Sequence, residues 1–584
     1  MCGIAACYAY RDGAPPADAA EMQRMTDQMF RRGPDAGGTW VDGPVALGSR
    51  RLAIIDLSPE GTQPMWDVER ELVIAFNGEI YNHRELRARL EAGGARFHSH
   101  TDTEVLLQLF RRDGERMVDL LRGMYAFAIW DTRARRMFVA RDPYGIKPLY
   151  FADDGTTFRA ASQVKSLLAG GAISRTRDVA GMAGFFLTGS VPEPFTSYEA
   201  IRSVEAGTSF FVDARGRHSE RRHSSIAATL RDANERRSLA RLITPERALR
   251  EQVTESIDYH LVSDVPVGAF LSAGIDSSTL LALAAQRTSE PLRTVTMAFE
   301  EFRGKHDDEA PLAERFAAER GARHTTRLVT RGEFRDDLPH IFEAMDQPTI
   351  DGVNTWFVSK AAAELGLKVA LSGVGGDELF GGYPSFRDVP RIVKLANLPL
   401  GTRAARIASK NPKTRAIAEF GHTWSGAYFL KRGLFLPNEL PELMGATDAE
   451  EGLRRLNLLE RLEAKLDPDP DTPFGRVATL EATQYMRNQL LRDTDWASMA
   501  HSLEVRTPLV DAMLLRQLAP LLLEYGTRCK SAFAAAPAQP LPPWLAQRKK
   551  TGFFTPLKDW TQLPPDGTTT RMRSWARMVY DASL

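Results

Sequence analysis

The sequence predicts two units in series: an α+β unit over residues 1–210, then an α/β unit with a parallel sheet over residues 245–584. Three observations predict this. Up to about Thr208 short β-rich segments alternate with turns. From Arg215 to Arg241 the chain turns polar and Arg/Ser-rich, with little apolar periodicity and Gly216 as its one glycine, which reads as a linker over 211–244 carrying a surface helix. After Thr244 apolar runs alternate with helical stretches, the pattern of a parallel sheet covered on both faces.

In the first unit, Leu72 to Phe76, Tyr125 to Trp130 and Met137 to Ala140 read as strands, and Arg84 to Ala92 and Thr103 to Arg111 as helices. In the second, helix Pro245 to Leu261 leads into the strand Val265 to Leu271, a small-residue turn and helix Ser277 to Gln286. Strand Leu292 to Phe299 precedes helix Ala310 to Arg320, and strand Lys368 to Leu371 precedes the Gly-rich segment Ser372 to Gly382. Ligands of such sheets sit at the carboxyl ends of the strands. The rest reads as helical with a loop-rich tail, and no repeat is evident.

The 584 residues, 43% of them hydrophobic, suit a soluble protein of two to four domains. Lys plus Arg and Asp plus Glu total 75 each, so no net charge draws the chain to nucleic acid or an anionic membrane. Cys2, Cys7 and Cys529 are too few and scattered for a disulfide framework or a four-ligand zinc site, which suits a reducing cytoplasm. The most apolar stretch, Val179 to Thr188, is about half of the ~20 residues that span a bilayer. Small-molecule substrates are the expected partners, with a homodimer left open.

Cys2 follows the initiator Met, and so small a residue usually permits removal of that Met. One residue would then carry both a thiol and an α-amine, whose pKa of ~7.7 to 8 lets it accept the thiol proton near neutrality. Alone, Met-Cys is merely a small residue opening a strand. Its neighbours are Cys2-Gly3-Ile4, Arg32-Gly33-Pro34-Asp35, Arg51-Leu52-Ala53-Ile54-Ile55-Asp56, Asn77-Gly78-Glu79-Ile80-Tyr81-Asn82 and Thr101-Asp102-Thr103-Glu104. Together these blocks resemble the glutaminase domain of class II, N-terminal-nucleophile glutamine amidotransferases, with an αββα sandwich fold. The resemblance implies Cys2 as nucleophile, Asn77 and Gly78 as oxyanion donors, Arg51 on the glutamine α-carboxylate, and Glu79 and Asp102 on its α-amine. Taken singly, Arg51 would be a surface arginine and Asp102 a helix cap. Arg31 stands where many members have His.

In the second unit the apolar run Val265 to Leu271 enters Ser272-Ala273-Gly274-Ile275-Asp276-Ser277-Ser278 and then a helix. Strand, small-residue turn and helix N-terminus make a cradle for phosphate. The Walker ending is missing, and Glu378 falls where a dinucleotide fingerprint needs its third Gly. The loop resembles the pyrophosphate loop of ATP pyrophosphatases. With Ser372-Gly373-Val374-Gly375-Gly376-Asp377-Glu378, Met499 to Arg506 and Arg548-Lys549-Lys550-Thr551-Gly552-Phe553, this half resembles the Rossmann-like synthetase domain of glutamine-dependent asparagine synthetases. That implies ATP with its adenine near Phe270, Met297 and the Ser372-Gly373 backbone, and its phosphates on Ser272, Gly274, Ser277 and Ser278. It also implies Mg²⁺ on Asp276 and Asp377, and Lys550 stabilising charge during adenylation and attack.

Two positions depart from the pattern. Ala273 adds a methyl group, tolerable if its φ stays negative. Val374 replaces an acidic residue thought to handle the proton lost on nitrogen attack, so the acceptor pocket can differ from one for aspartate. His98 and His100 read as loop packing, His306 to Glu309 as a solvated loop and Cys7 as a small core residue. The expected reaction is amidation of an acyl-AMP by ammonia from glutamine, with aspartate as first acceptor and a sugar acid or natural-product precursor as the alternative.

Overall fold

The computed structural model describes residues 2–398, 415–548, 555–561 and 571–583. The expected Lys550 and the segment after it up to Phe554 lie outside the described residues.

The first unit is built from β1 (Cys2–Ala9), β2 (Ala36–Asp42), β3 (Val45–Arg51), β4 (Met65–Trp66), β5 (Leu72–Ile80), β6 (Gly123–Asp131), β7 (Arg136–Arg141), β8 (Tyr150–Asp153), β9 (Thr157–Ala161), β10 (Arg202–Ser203), β11 (Thr208–Asp213) and β12 (Gly216–Arg222). They form two six-stranded sheets, ordered β10-β8-β9-β1-β3-β2 and β12-β11-β7-β6-β5-β4. Ile4, Ala6 and Tyr8 of β1 meet Val73 and Ala75 of β5 between the sheets, while Ala5 and Cys7 face outward. The period-two alternation of β1 thus fills two different cores. Helices α1 (Ala19–Asp27), α2 (His83–Ala92) and α3 (Asp102–Asp113) complete the αββα stack. Met22 and Met25 of α1 cover the first sheet, and Leu86 of α2 and Leu106 of α3 cover the second. Thr101 caps α3, its Oγ1 accepting from Glu104 N at 3.2 Å.

Helices α4 (Val164–Gly170) and α5 (Val179–Thr188) follow. The apolar α5 packs on helix Ala446–Leu456 of the second half and is buried along nearly its whole length. Among the described residues no helix is long and apolar enough to cross a membrane.

The span expected as a linker, 211–244, is ordered. β11 and β12 pair in antiparallel register, so the second sheet continues to Arg222, and α6 (Ile226–Asn234) follows. The alternating Arg/His/Glu residues of β12 lie on an edge strand, where polar side chains are tolerated and hydrophobic periodicity is weak.

The second unit carries α7 (Pro245–His260), β13 (Val267–Phe270), α8 (Ile275–Ala284), β14 (Arg293–Phe299), α9 (Ala310–Glu319), β15 (Arg323–Val329), α10 (Arg331–Ala344), α11 (Val353–Glu364), β16 (Val369–Leu371), α12 (Gly376–Phe380) and β17 (Glu504–Arg506). All five strands are parallel, ordered β15-β14-β13-β16-β17. Strand order therefore reverses between β13 and β16, and the crevice at their carboxyl ends is where a doubly wound sheet binds its ligand.

Candidate active site

The strand pairing assembles the first site. Antiparallel β1 and β3 place Cys2 opposite Arg51. Cys2 N donates to Asn77 Oδ1 at 3.0 Å, which joins the chain start to β5 in the facing sheet. Asn77 is fully buried, and its Nδ2 finds no hydrogen-bond partner among the described residues. A buried donor left open beside a thiol is poised for an oxygen that arrives with the substrate. Gly78 is next along the strand with φ +157, and a Cβ there would lie 2.1 Å from Met124 O. Only glycine permits this close crossing of β5 and β6.

Burial pushes the Cys2 thiol up, against the positive chain terminus, the Leu52 N–H and Arg51. The thiol is therefore held protonated until a base takes its proton, a task suited to an adjacent α-amine. Arg51 spends its guanidinium on the carbonyls of Ser58, at 3.1 Å, Ile55, at 3.1 Å, and Asp56. These neutral acceptors fix the fork, and the nearby Asp56 carboxylate feels its charge. Asp102 Oδ2 accepts from Ile80 N at 2.8 Å, tying α3 to the end of β5. Burial and then Glu504 push the Glu79 carboxyl well above the usual carboxylate range, while Arg506 pulls it down. All the expected glutamine-site residues thus lie around the β1/β5 junction.

The second site forms where β13 and β16 end. Ser272 Oγ and Ser277 Oγ lie 2.9 Å apart, and Gly274 N donates to Ser272 Oγ at 3.2 Å. The loop is closed on itself ahead of α8, whose N-terminus favours an anion. Ala273 keeps a negative φ, so its methyl group strains nothing. The loop after β16 comes against this one: a Cβ on Gly373 would lie 3.0 Å from Ser277 N. Of the other expected nucleotide residues, Met297 is buried on β14 and Phe270 is half-buried at the end of the neighbouring β13. Val374 is partly buried against the core, and brings no carboxylate.

Lys530, on helix Arg528–Ala535, escapes sequence reasoning. Its Nζ lies 2.5 Å from Asp276 Oδ1 and 2.7 Å from Asp377 Oδ1. Burial alone would push this ammonium down, but the two carboxylates overcome it and hold it above the ordinary lysine range. The two aspartates expected to bind metal therefore do converge, with a lysine between them. Two convergent carboxylates suit Mg²⁺, which takes one or two protein carboxylates and completes its shell with phosphate and water. Nothing in the sequence flags Lys530, because it stands far along the chain from either aspartate.

Ion pairs join the two halves, those of Arg32 with Asp495 and Arg122 with Asp511 being buried. Arg32 donates to Cys2 O at 3.2 Å and forks onto Asp495 in helix Arg492–Met499, at 2.6 and 3.0 Å. Arg122 pairs with Asp511 at 2.7 Å and Glu255 at 2.6 Å. Through Arg32 the carbonyl of Cys2 is thus braced by the second half of the chain.

A thiol with an open buried donor, joined to a phosphate-loop sheet, defines a glutamine amidotransferase coupled to an ATP-dependent ligase. Comparison with known proteins agrees. Residues 1–223 match the family described as glutamine amidotransferase domain, and residues 248–575 match asparagine synthase. Asparagine synthetase [glutamine-hydrolyzing] 1 of Bacillus subtilis is 30% identical over all of this chain and 90% of its own length. A putative asparagine synthetase of Mycobacterium tuberculosis is 32% identical over 96% of this chain and 88% of its own. Amidase chry2 of Gibberella zeae is 30% identical over 66% of this chain and 60% of its own. The chain belongs to the glutamine-hydrolysing asparagine synthetase family.

Proposed function

We propose that the protein converts aspartate to asparagine with ammonia drawn from glutamine. The Cys2 thiol passes its proton to the α-amine and attacks the glutamine side-chain amide. Arg51 holds the α-carboxylate, and Glu79 and Asp102 the α-ammonium. Asn77 Nδ2 and Gly78 N–H hold the oxyanion. The intermediate expels ammonia, and water releases glutamate from the thioester.

In the second half the Ser272–Ser278 loop seats the phosphates, with the adenine near Phe270, Met297 and the Ser372–Gly373 backbone. Asp276 and Asp377 are the residues that would hold Mg²⁺, whose charge, when bound, offsets that of the leaving pyrophosphate. Lys530 is placed to move from the aspartates onto phosphate. By its likeness to the family lysine, Lys550 steadies charge during adenylation and attack. The aspartate side-chain carboxylate attacks the α-phosphorus of ATP, breaking the bond to the β-phosphate and releasing pyrophosphate, and ammonia then attacks the acyl-adenylate to give the amide and AMP. Val374 offers no base, so the proton lost after attack passes to AMP phosphate or water.

The observation that carries the reading is the pairing of Cys2 with Asn77, whose remaining donor stands open and buried. The test is AMP and pyrophosphate release with glutamine, ATP and Mg²⁺, comparing aspartate with a panel of other carboxylates. Aspartate should stimulate both products, and Cys2→Ala should remove glutamine use while sparing synthesis from ammonia. Pyrophosphate release unmoved by aspartate would refute this acceptor. Val374 and the relative named an amidase favour a second reading, the same chemistry on another acid.

A further inference from the structure

Arg506 sits at the end of β17 with no exposed surface. Its guanidinium has fixed anchors within the ATP-binding half. Nε donates to Glu504 Oε1 at 2.5 Å, and Nη1 donates to the carbonyls of His260, at 2.8 Å, and Val262, at 2.6 Å. The remaining nitrogen, Nη2, points across the interface to Glu79 Oε2 at 3.4 Å. Neither atom has a hydrogen-bond partner among the described residues. This charge contact is too long and too poorly aligned for a hydrogen bond. At the other end of the residue, the Arg506 carbonyl accepts from Ser372 N at 2.8 Å, and Leu371 lies beside Arg506 in the parallel ladder.

One residue therefore touches a carboxylate of the glutamine clamp with its side chain and the nucleotide loop with its backbone. We propose that Arg506 is a positioning residue that couples occupancy of the glutamine pocket to occupancy of the nucleotide loop. The inference rests on the assignment of Glu79 to the glutamine α-ammonium and of Ser372 to the nucleotide.

The physical basis is competition for one buried oxygen. Glu79 and Glu504 are buried carboxylates beside this guanidinium, and Asp102 is a third buried carboxylate close to both of them. An arriving α-ammonium competes with Nη2 for Glu79. Arg506 cannot answer by swinging away, because Glu504 and two carbonyls hold the rest of its fork and the packing leaves no room. The altered pull reaches β17 and the hydrogen bond to Ser372. Linkage makes the effect reciprocal, so nucleotide must change glutamine affinity by the same factor.

The test is the KM for glutamine in the glutaminase reaction of the full-length protein, with and without α,β-methylene-ATP and Mg²⁺. The wild type should shift its KM by about fivefold, the lower end of ordinary couplings. Arg506→Lys should shift less than twofold, while its hydrolytic kcat without nucleotide and its ammonia-driven pyrophosphate release stay near wild type. Glu504→Gln, which loosens the same anchor without removing the guanidinium, should give a reduced shift and serves if Arg506→Lys does not fold. No shift in the wild type, a full shift in both variants, or loss of ammonia-driven synthesis together with the shift would overturn the proposal. A wild type that leaves glutamine intact would instead refute the underlying glutaminase reading.

Discussion

Removing the donor of Asn77 tests the glutaminase site most directly. The side chain does two things. Oδ1 accepts the Cys2 N–H at 3.0 Å, and Nδ2 stands buried and unpartnered among the described residues. Loss of one oxyanion donor costs about 2.7 to 4 kcal/mol, on the order of 10² to 10³ in kcat. Asn77→Asp keeps an acceptor for Cys2 N but replaces the donor with an oxygen that repels the developing negative charge, so its loss should reach at least the upper figure. Asn77→Ala also leaves a buried N–H without its acceptor, a further cost of roughly 1 to 3 kcal/mol that falls on positioning and stability. Gly78 N–H survives in both, so activity should not fall to the rate in water. The assay follows glutamate release from glutamine beside pyrophosphate release driven by ammonia. A loss under tenfold in Asn77→Asp, or an equal loss in the ammonia-driven reaction, would refute the assignment of Nδ2 to the oxyanion.

Two further outcomes follow from buried charge. Lys530→Met should remove a buried ammonium from between Asp276 and Asp377, costing about 3 kcal/mol in urea unfolding with chelator present. Added Mg²⁺ should restore part of that stability, and no recovery would show that the two carboxylates do not hold the ion. His260 is buried against Tyr81 and its pKa is pushed down to about 4, first by burial. The unfolded chain therefore takes up this proton at pH values where the folded protein cannot. Stability present above about pH 6.5 is lost as pH falls towards 4. The gap of about 2.5 units corresponds to roughly 3 kcal/mol at most for this histidine. Urea unfolding across that window should show a slope shallower by up to one proton in His260→Asn, and an unchanged slope would refute the burial argument.

The glutaminase strands were legible because β5 and β6 are apolar runs bounded by turns, whereas the cap of α3 is Thr101 and not Asp102, which opens the helix proper. The phosphate loop was legible because strand, small residues and helix follow one another without interruption. β12 was read as linker because an edge strand need not alternate apolar and polar residues. β15 escaped for a related reason: Arg323 to Leu328 is polar or half-exposed along most of its length. β17 is only three residues long, too short for any period to show.

Chemistry that resides in one contiguous block was written in the sequence itself: a thiol at the second position, an Asn-Gly pair, a small-residue turn between strand and helix, and the order of the two halves. Contacts between distant blocks were decided by the tertiary structure alone. It set Lys530 between two aspartates, Arg32 between Cys2 and Asp495, and Arg506 between Glu79 and Ser372. The reason is physical: a local motif is specified by backbone conformation and side-chain spacing, whereas a buried ion pair depends on which surfaces the two cores bring together, and no spacing along the chain encodes that distance.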